Sequence, residues 1–237
     1  MTGANLTHLA EVGSTNDWLL ARADTLPDGH WVLTDKQTAG RGRRGRAWND
    51  GAGNLMASVL VHPLAEPPAQ QLSFVAALAL RTALVAASGA ADARIRLKWP
   101  NDLLLDGAKV SGILLERSGQ HLIIGFGANI AQHPADTERP AISLAAAGLG
   151  NPAPLAVVQA LMTAFAEYRG LWEAQGFAPI RSRWLEQAAG LGERVVARLG
   201  TESIEGRFDG IDADGALALR LDDGSVRAIH AGEVFAL

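Results

Sequence analysis

The residues best equipped for chemistry in this chain stand in the run KQTAGRGRRGRAW, positions 36–48, which holds four arginines and three glycines. Guanidinium groups on a glycine-rich backbone can close around an anion with paired hydrogen bonds. A second group is KWPND, residues 98–102: a lysine and an indole, a rigid break, then two polar side chains. Lys109 opens the otherwise apolar stretch KVSGILLE two residues past a turn. The chain has three lysines, 36, 98 and 109, against eighteen arginines, so each lysine stands where arginine is the default. GFGANI, residues 125–130, carries glycines that let a ligand approach strand backbone closely.

Each pattern has competing readings. The arginine run lacks the Gly-Lys-Ser/Thr ending of a nucleotide-binding P-loop. It can be a phosphate-contacting patch, a solvated loop or a lid over a small anion; Gln37 and Trp48, which bracket the glycines, favour the lid. GFGANI has Ile130 where a dinucleotide fingerprint needs its third glycine. Lys109 also suits an edge strand, and DADG, residues 212–215, suits a hairpin turn better than a calcium loop.

Composition narrows the class. The 237 residues are 48% hydrophobic, enough for a full core, and the net charge of −4 argues against broad nucleic-acid affinity. There is no cysteine, and the six histidines never fall at metal-ligand spacing, so no metal-ligating residue is assigned. The longest apolar run, residues 75–87, is short for a membrane span, and no signal segment opens the chain; the cytoplasm is the expected location.

These groups need elements to hold them. Ser14 with Asp17 reads as a capping box opening a helix whose apolar face is Trp18, Leu19 and Ala23. HWVLTDKQ and NLMASVLV read as buried strands on either side of the arginine loop, and residues 70–88 as a helix ended by Gly89. RIRLKW alternates as a strand stopped by Pro100. Asp106-Gly107 and Ser118-Gly119 then turn two successive hairpins. Residues 154–174 form an amphipathic helix with Leu155, Val158, Leu161, Met162, Phe165, Tyr168 and Trp172 on one stripe, and a shorter helix follows around 180–188. After residue 188 four short strands, RVVARL, SIEGRFDGI, ALALRL and VRAIH, alternate with tight turns as in a compact β-barrel. The expected domains are therefore 1–188 and 189–237.

Taken in order, STN (14–16), the arginine loop, KWPND, KVSGILLE and GFGANI resemble the biotin protein ligase family over nearly the whole chain. The resemblance implies an α+β fold: a mixed sheet with helices, like that of class II aminoacyl-tRNA synthetases, plus a small C-terminal β-barrel. It implies biotin and ATP as substrates, with Mg2+, and transfer of biotin through biotinyl-5′-AMP to a lysine of a biotin carboxyl carrier protein. Ser14, Thr15, Asn16, Gln37, Gly40, Arg41, Gly42, Arg43, Lys109, Gly112, Gly125 and Gly127 would face biotin. Arg41, Arg43, Arg46, Trp48, Asn101, Gly112 and Asn129 would line the nucleotide side. Lys109, Arg43 and Asp102 would be catalytic, with Asp102 assisting magnesium or holding an arginine. The arginines fit this chemistry, because a carboxylate approaching a polyphosphate meets repulsion of about 4 kcal/mol per charge pair at 4 Å and an effective dielectric near 20. STN begins after 13 residues. That leaves no room for the DNA-reading domain of regulatory members, so sequence-specific DNA binding is not expected. The protein would be a monomer or homodimer with no membrane attachment. A lipoate or octanoate ligase and a non-enzymatic biotin sensor are the alternatives.

Overall fold

The structure, a computed structural model, describes residues 5–48, 51–63, 65–135, 137, 139–200 and 202–236, with the side chains of Arg44 and Ala236 outside the described set. Strands β1 (Leu6–Leu9), β2 (Trp31–Thr34), β3 (Leu55–Val61), β4 (Ile95–Lys98), β5 (Asp102–Leu105), β6 (Ala108–Ser118) and β7 (His121–Ala128) form a seven-stranded sheet in the order β1-β2-β3-β7-β6-β5-β4. β1 and β2 run parallel, and all other neighbours are antiparallel. Asp106 and Gly107 both take positive φ (51° and 83°), the geometry a two-residue hairpin requires. The second hairpin turns through Gly119 and Gln120, with Ser118 paired to His121.

Strand alternation assigns the two faces of this sheet. On β7, Leu122, Ile124, Phe126 and Ala128 enter the main core, which they share with helices α2 (Leu72–Ser88) and α3 (Pro154–Gln175). Ile123 points the other way, into a small cluster with Leu19, Ala23, Val32 and Leu60. Leu19 belongs to α1 (Thr15–Leu20), which therefore covers the opposite face. Gly125 and Gly127 share the face of Ile123, and there the sheet is bare.

Helix α2 ends at Gly89, whose left-handed φ of 65° lets its N–H reach the Val85 carbonyl at 2.9 Å. With the preceding short turn, Ala69–Ser88 is long and apolar enough to cross a membrane by composition, yet 67% of that window is buried as in a core helix. Along α3 the expected stripe is displaced: Leu155 is 40% exposed, while Val157 and Ala164 are buried beside Val158, Leu161, Phe165 and Trp172. Helix α4 is Phe177–Glu186, so it starts and stops earlier than its sequence pattern suggested.

The C-terminal strands are β8 (Arg194–Leu199), β9 (Glu202–Ile211), β10 (Leu217–Arg220), β11 (Val226–Ile229) and β12 (Glu233–Ala236), forming an antiparallel sheet in the order β11-β10-β9-β8-β12. β12 has no counterpart among the expected strands. DADG is the hairpin turn, with Asp212 Oδ1 accepting from the N–H groups of Asp214 and Ala216 at 2.9 and 2.8 Å. The two sheets share one apolar core: Phe208, Ile211 and Leu217 join the cluster that holds Phe74, Phe177 and Trp184. Trp99 of the KWPND run is 3% exposed and donates its indole N–H to the Gly215 carbonyl at 3.1 Å. It is a joint between the sheets that also borders the cavity described below.

Trp99→Phe leaves that carbonyl without its donor while keeping the apolar fill, so unfolding stability should drop by about 1–3 kcal/mol in urea denaturation. An unchanged midpoint would mean that the joint contributes nothing.

Candidate active site

The bare face of the sheet is the floor of a cavity of about 570 Å³. Two backbone ties bring its walls together. The segment before α1 runs parallel to the segment before the arginine loop, through Val12 N–H to the Lys36 carbonyl and Thr38 N–H to the Val12 carbonyl, both 3.0 Å. This places Gln37 over the start of α1, where its Oε1 accepts from Thr15 N–H at 2.8 Å and lies 3.0 Å from Thr15 Oγ1. The loop then closes on itself: Gly42 N–H donates to the Arg46 carbonyl at 2.7 Å and Trp48 N–H to the Gly40 carbonyl at 3.0 Å.

Of the residues assigned from sequence, Ser14, Thr15, Asn16, Gln37, Arg41, Gly42, Arg43, Arg46, Trp48, Asn101, Asp102, Lys109, Gly112, Gly125, Gly127 and Asn129 all border this cavity. Gly40 does not. A Cβ there would meet Gln37 Nε2 at 2.9 Å and the Trp48 carbonyl at 3.2 Å, so its glycine serves loop closure instead.

Half of the expected capping box forms. Ser14 Oγ accepts from Asp17 N–H at 3.4 Å, but the Asp17 carboxylate turns away to Arg41, at 2.5 and 2.6 Å. That hydrogen bond holds the Asp17 carboxyl below its usual range and raises the Arg41 guanidinium. Arg41 also donates to Glu116 at 3.1–3.2 Å. Two carboxylates thus neutralise Arg41, which fixes the loop to the body of the protein. Arg43 Nη1 donates to the amide oxygen of Asn101 at 3.1 Å. Asn101 is held by the backbone of Ile113, which accepts from its Nδ2 and donates to its carbonyl at 3.0 Å.

Strand register builds the floor. Gly127 lies opposite Met56 and Gly112, and Gly112 lies opposite Asp102. The two glycines make a patch without side chains, and the Trp48 indole rests on it: a Cβ on Gly127 would stand 2.4 Å from Trp48 Cε2, and one on Gly112 3.3 Å from Cζ3. Trp48 Nε1 is buried without a hydrogen-bond partner among the described residues. Beside this patch Lys109 Nζ meets Asp102 Oδ1 at 2.7 Å. Among the described residues the ion-pair partner of Asp102 is thus a lysine and not an arginine. Lys109 is also no edge residue, because β6 lies between β5 and β7. Asn129 Nδ2 donates to the Ile142 carbonyl at 3.2 Å, closing the cavity's side.

Sequence reasoning missed four polar contributors. Glu116 ends the KVSGILLE motif and Ser58 is a lone polar residue inside a buried strand, so both left a trace. Glu233 and Arg139 left none. Glu233, on edge strand β12, accepts from Arg139 Nη2 at 2.8 Å and lies 3.2 Å from Arg46 Nη1, bringing the C-terminal sheet to the rim of the cavity. Among the described residues no group of three His, Asp or Glu side chains is placed to hold a metal ion. Lys36, the third lysine, pairs with Glu11 on the surface.

A mixed sheet thus carries a polar, cation-rimmed cavity bordered by the glycine–arginine loop. The model of the biotin/lipoate A/B protein ligase family matches residues 9–129, and that of the biotin protein ligase C-terminal domain matches residues 190–237. The chain is 45% identical to a biotin–[acetyl-CoA-carboxylase] ligase of Paracoccus denitrificans, across 96% of this chain and 98% of that one. It is 31% identical to the bifunctional ligase/repressor BirA of Escherichia coli, across 99% of this chain and 74% of that one. Among solved structures, the biotin protein ligase of Aquifex aeolicus in complex with biotin and ATP superimposes with a TM-score of 0.88 at 28% identity, covering 99% of this chain and 100% of that one. The chain belongs to the biotin protein ligase family.

Lys98 borders the site without entering it. Burial, then the nearby Arg139 charge, lowers its pKa to about 8, and its Nζ lies 5.5 Å from the Phe235 ring. Between that value and the usual lysine pKa of about 10.4 the unfolded chain binds one more proton than the folded chain, so this group makes stability rise with pH over that window. Lys98→Met should raise stability at pH 7 and flatten the rise between pH 8 and pH 10, read from urea midpoints at the two pH values. A rise of unchanged slope would assign it to other groups.

Proposed function

We propose that the chain is an ATP-dependent ligase that activates biotin as biotinyl-5′-AMP and transfers it to a lysine of a biotin carboxyl carrier protein such as a subunit of acetyl-CoA carboxylase. The observation that carries this is the division of the cavity into two unlike ends. One end presents Ser14, Thr15, Asn16 and Gln37, all buried, as a set of hydrogen-bonding groups. A ureido ring, with one acceptor and two N–H donors, matches such a set. A dithiolane or alkyl chain would leave it unpaired, which a site built for hydrogen bonds strongly rejects. That argues against lipoate or octanoate as the acid.

The other end holds Arg43, Asn101, Lys109 and Trp48. The biotin carboxylate attacks the α-phosphorus, pyrophosphate leaves, and negative charge grows on the bridging and non-bridging oxygens. Lys109, 2.7 Å from Asp102, is positioned before substrates arrive, and such preorganised charge acts where charge develops. Trp48 offers the face turned away from the glycine floor to the nucleotide. The loop, tied down through Arg41 and Arg46, keeps water from the mixed anhydride. In the second step the carrier lysine attacks the same carbonyl and AMP leaves. The carboxylates described at the site, Asp102 and Glu233, face basic side chains, so Mg2+ would be held chiefly by the phosphates of ATP, whose charge it would offset. A cellular ATP supply places the reaction in the cytoplasm. A biotin sensor would need no Lys109.

The test is biotin-dependent exchange of pyrophosphate into ATP, with lipoate and octanoate as controls. Lys109→Ala should cut exchange by about 10²–10³, the loss seen on removing one preorganised donor, while biotin affinity falls far less. Exchange within a few-fold of wild type would remove Lys109 from the mechanism.

A further inference from the structure

The hydrogen bonds at the head-group end have a direction, and it is set from outside the cavity. The Glu116 carboxylate accepts from Asn16 Nδ2 at 2.6 Å. Because a carboxylate only accepts, the Asn16 amide nitrogen must face it and Asn16 Oδ1 must face away. That oxygen lies 2.6 Å from Ser58 Oγ and covers Gly125, where a Cβ would stand 2.5 Å from it. Ser58 Oγ is also 2.7 Å from Thr15 Oγ1, which in turn is 3.0 Å from Gln37 Oε1.

These three oxygen–oxygen contacts share two hydroxyl protons. Asn16 Oδ1 has no proton of its own, so it takes that of Ser58. The Thr15 proton then lies toward Ser58, since otherwise two lone pairs would face each other at 2.7 Å. The contact left without a hydroxyl proton is the longest, Thr15 to Gln37, and Gln37 Oε1 is already satisfied by the Thr15 backbone N–H at 2.8 Å. Thr15, which borders the cavity, therefore meets a ligand as an acceptor. Ser58 is fully buried, so no water competes for its proton. Reversing the Asn16 amide would reverse the whole chain, and Glu116 is what forbids that.

We propose that Glu116 is a positioning residue which polarises the chain Thr15–Ser58–Asn16, so that the head-group end accepts hydrogen bonds from a ring N–H of biotin. This rests on reading the cavity as the biotin site. Asn16 and Arg41 both answer to Glu116, so its removal has two routes to an effect, and the experiment separates them.

Pyrophosphate exchange is measured for the wild type, Glu116→Ala and the size-matched Glu116→Gln. The acids are biotin and the two cyclic carbamates in which one ring N–H of biotin is replaced by oxygen. The wild type should disfavour at least one carbamate by about 10²-fold or more in KM, because an acceptor then faces an acceptor. Both variants should raise the KM for biotin by about tenfold and shrink that discrimination by about tenfold, with kcat and the KM for ATP within about threefold. In a double-mutant cycle, Glu116→Ala should add little to Asn16→Ala. Unchanged discrimination in both variants, a wild type indifferent to the carbamates, or full additivity with Asn16→Ala would each overturn the proposal; the last would assign the effect to Arg41. Exchange that ignores biotin in the wild type would instead reject the functional reading itself.

Discussion

The structure is governed by one electrostatic requirement: positive charge must be stored in a largely enclosed cavity until two anions arrive. Left bare, such charge would unfold the loop that carries it; fully paired, it would be useless. The protein divides the task. Arg41 is held by Asp17 and Glu116, and Arg46 by Glu233, so these two secure the loop. Arg43 donates to the Asn101 amide oxygen, and Lys109 meets the carboxylate of Asp102. Both border the cavity, where the proposed reaction develops its charge.

That division depends on the sheet beneath it. Gly112 and Gly127 face each other across β6 and β7, and the absence of side chains at both lets an indole lie flat on the backbone. The alternate residues of the same strands, Ile113 and Phe126 among them, anchor the opposite face in the core under α2 and α3. A rigid floor and a tethered lid are thus two consequences of one strand pairing. The C-terminal sheet completes the rim. Trp99 pins it to the first sheet, and Glu233, presented from β12, reaches Arg46 of the lid and Arg139 of the facing wall.

Much of this was legible in the sequence because it rests on local rules. The hairpin at Asp106-Gly107 and the glycine stop after Ser88 both follow from neighbouring residues. β1 was not legible: LTHL has three half-exposed residues and one exposed, and becomes a strand only because β2 runs beside it. β12 likewise exists through its pairing with β8. Long-range charge pairing was the hardest to foresee. Nothing in KQTAGRGRRGRAW says that Arg41 will meet a carboxylate 75 positions away. Trp99 misled in the opposite sense, a conspicuous aromatic beside polar residues whose work is to join two sheets.

The central claim, that Trp48 on its glycine floor forms half of the nucleotide site, is tested most directly by titration calorimetry on Gly127→Ala. A Cβ at that position would stand 2.4 Å from the indole and push it off the sheet. Stacking of an aromatic ring on a base is worth about 1–3 kcal/mol. Binding of α,β-methylene-ATP to the biotin-saturated variant should therefore weaken by about tenfold or more, while binding of biotin alone changes far less. Nucleotide affinity equal to that of the wild type would contradict the account.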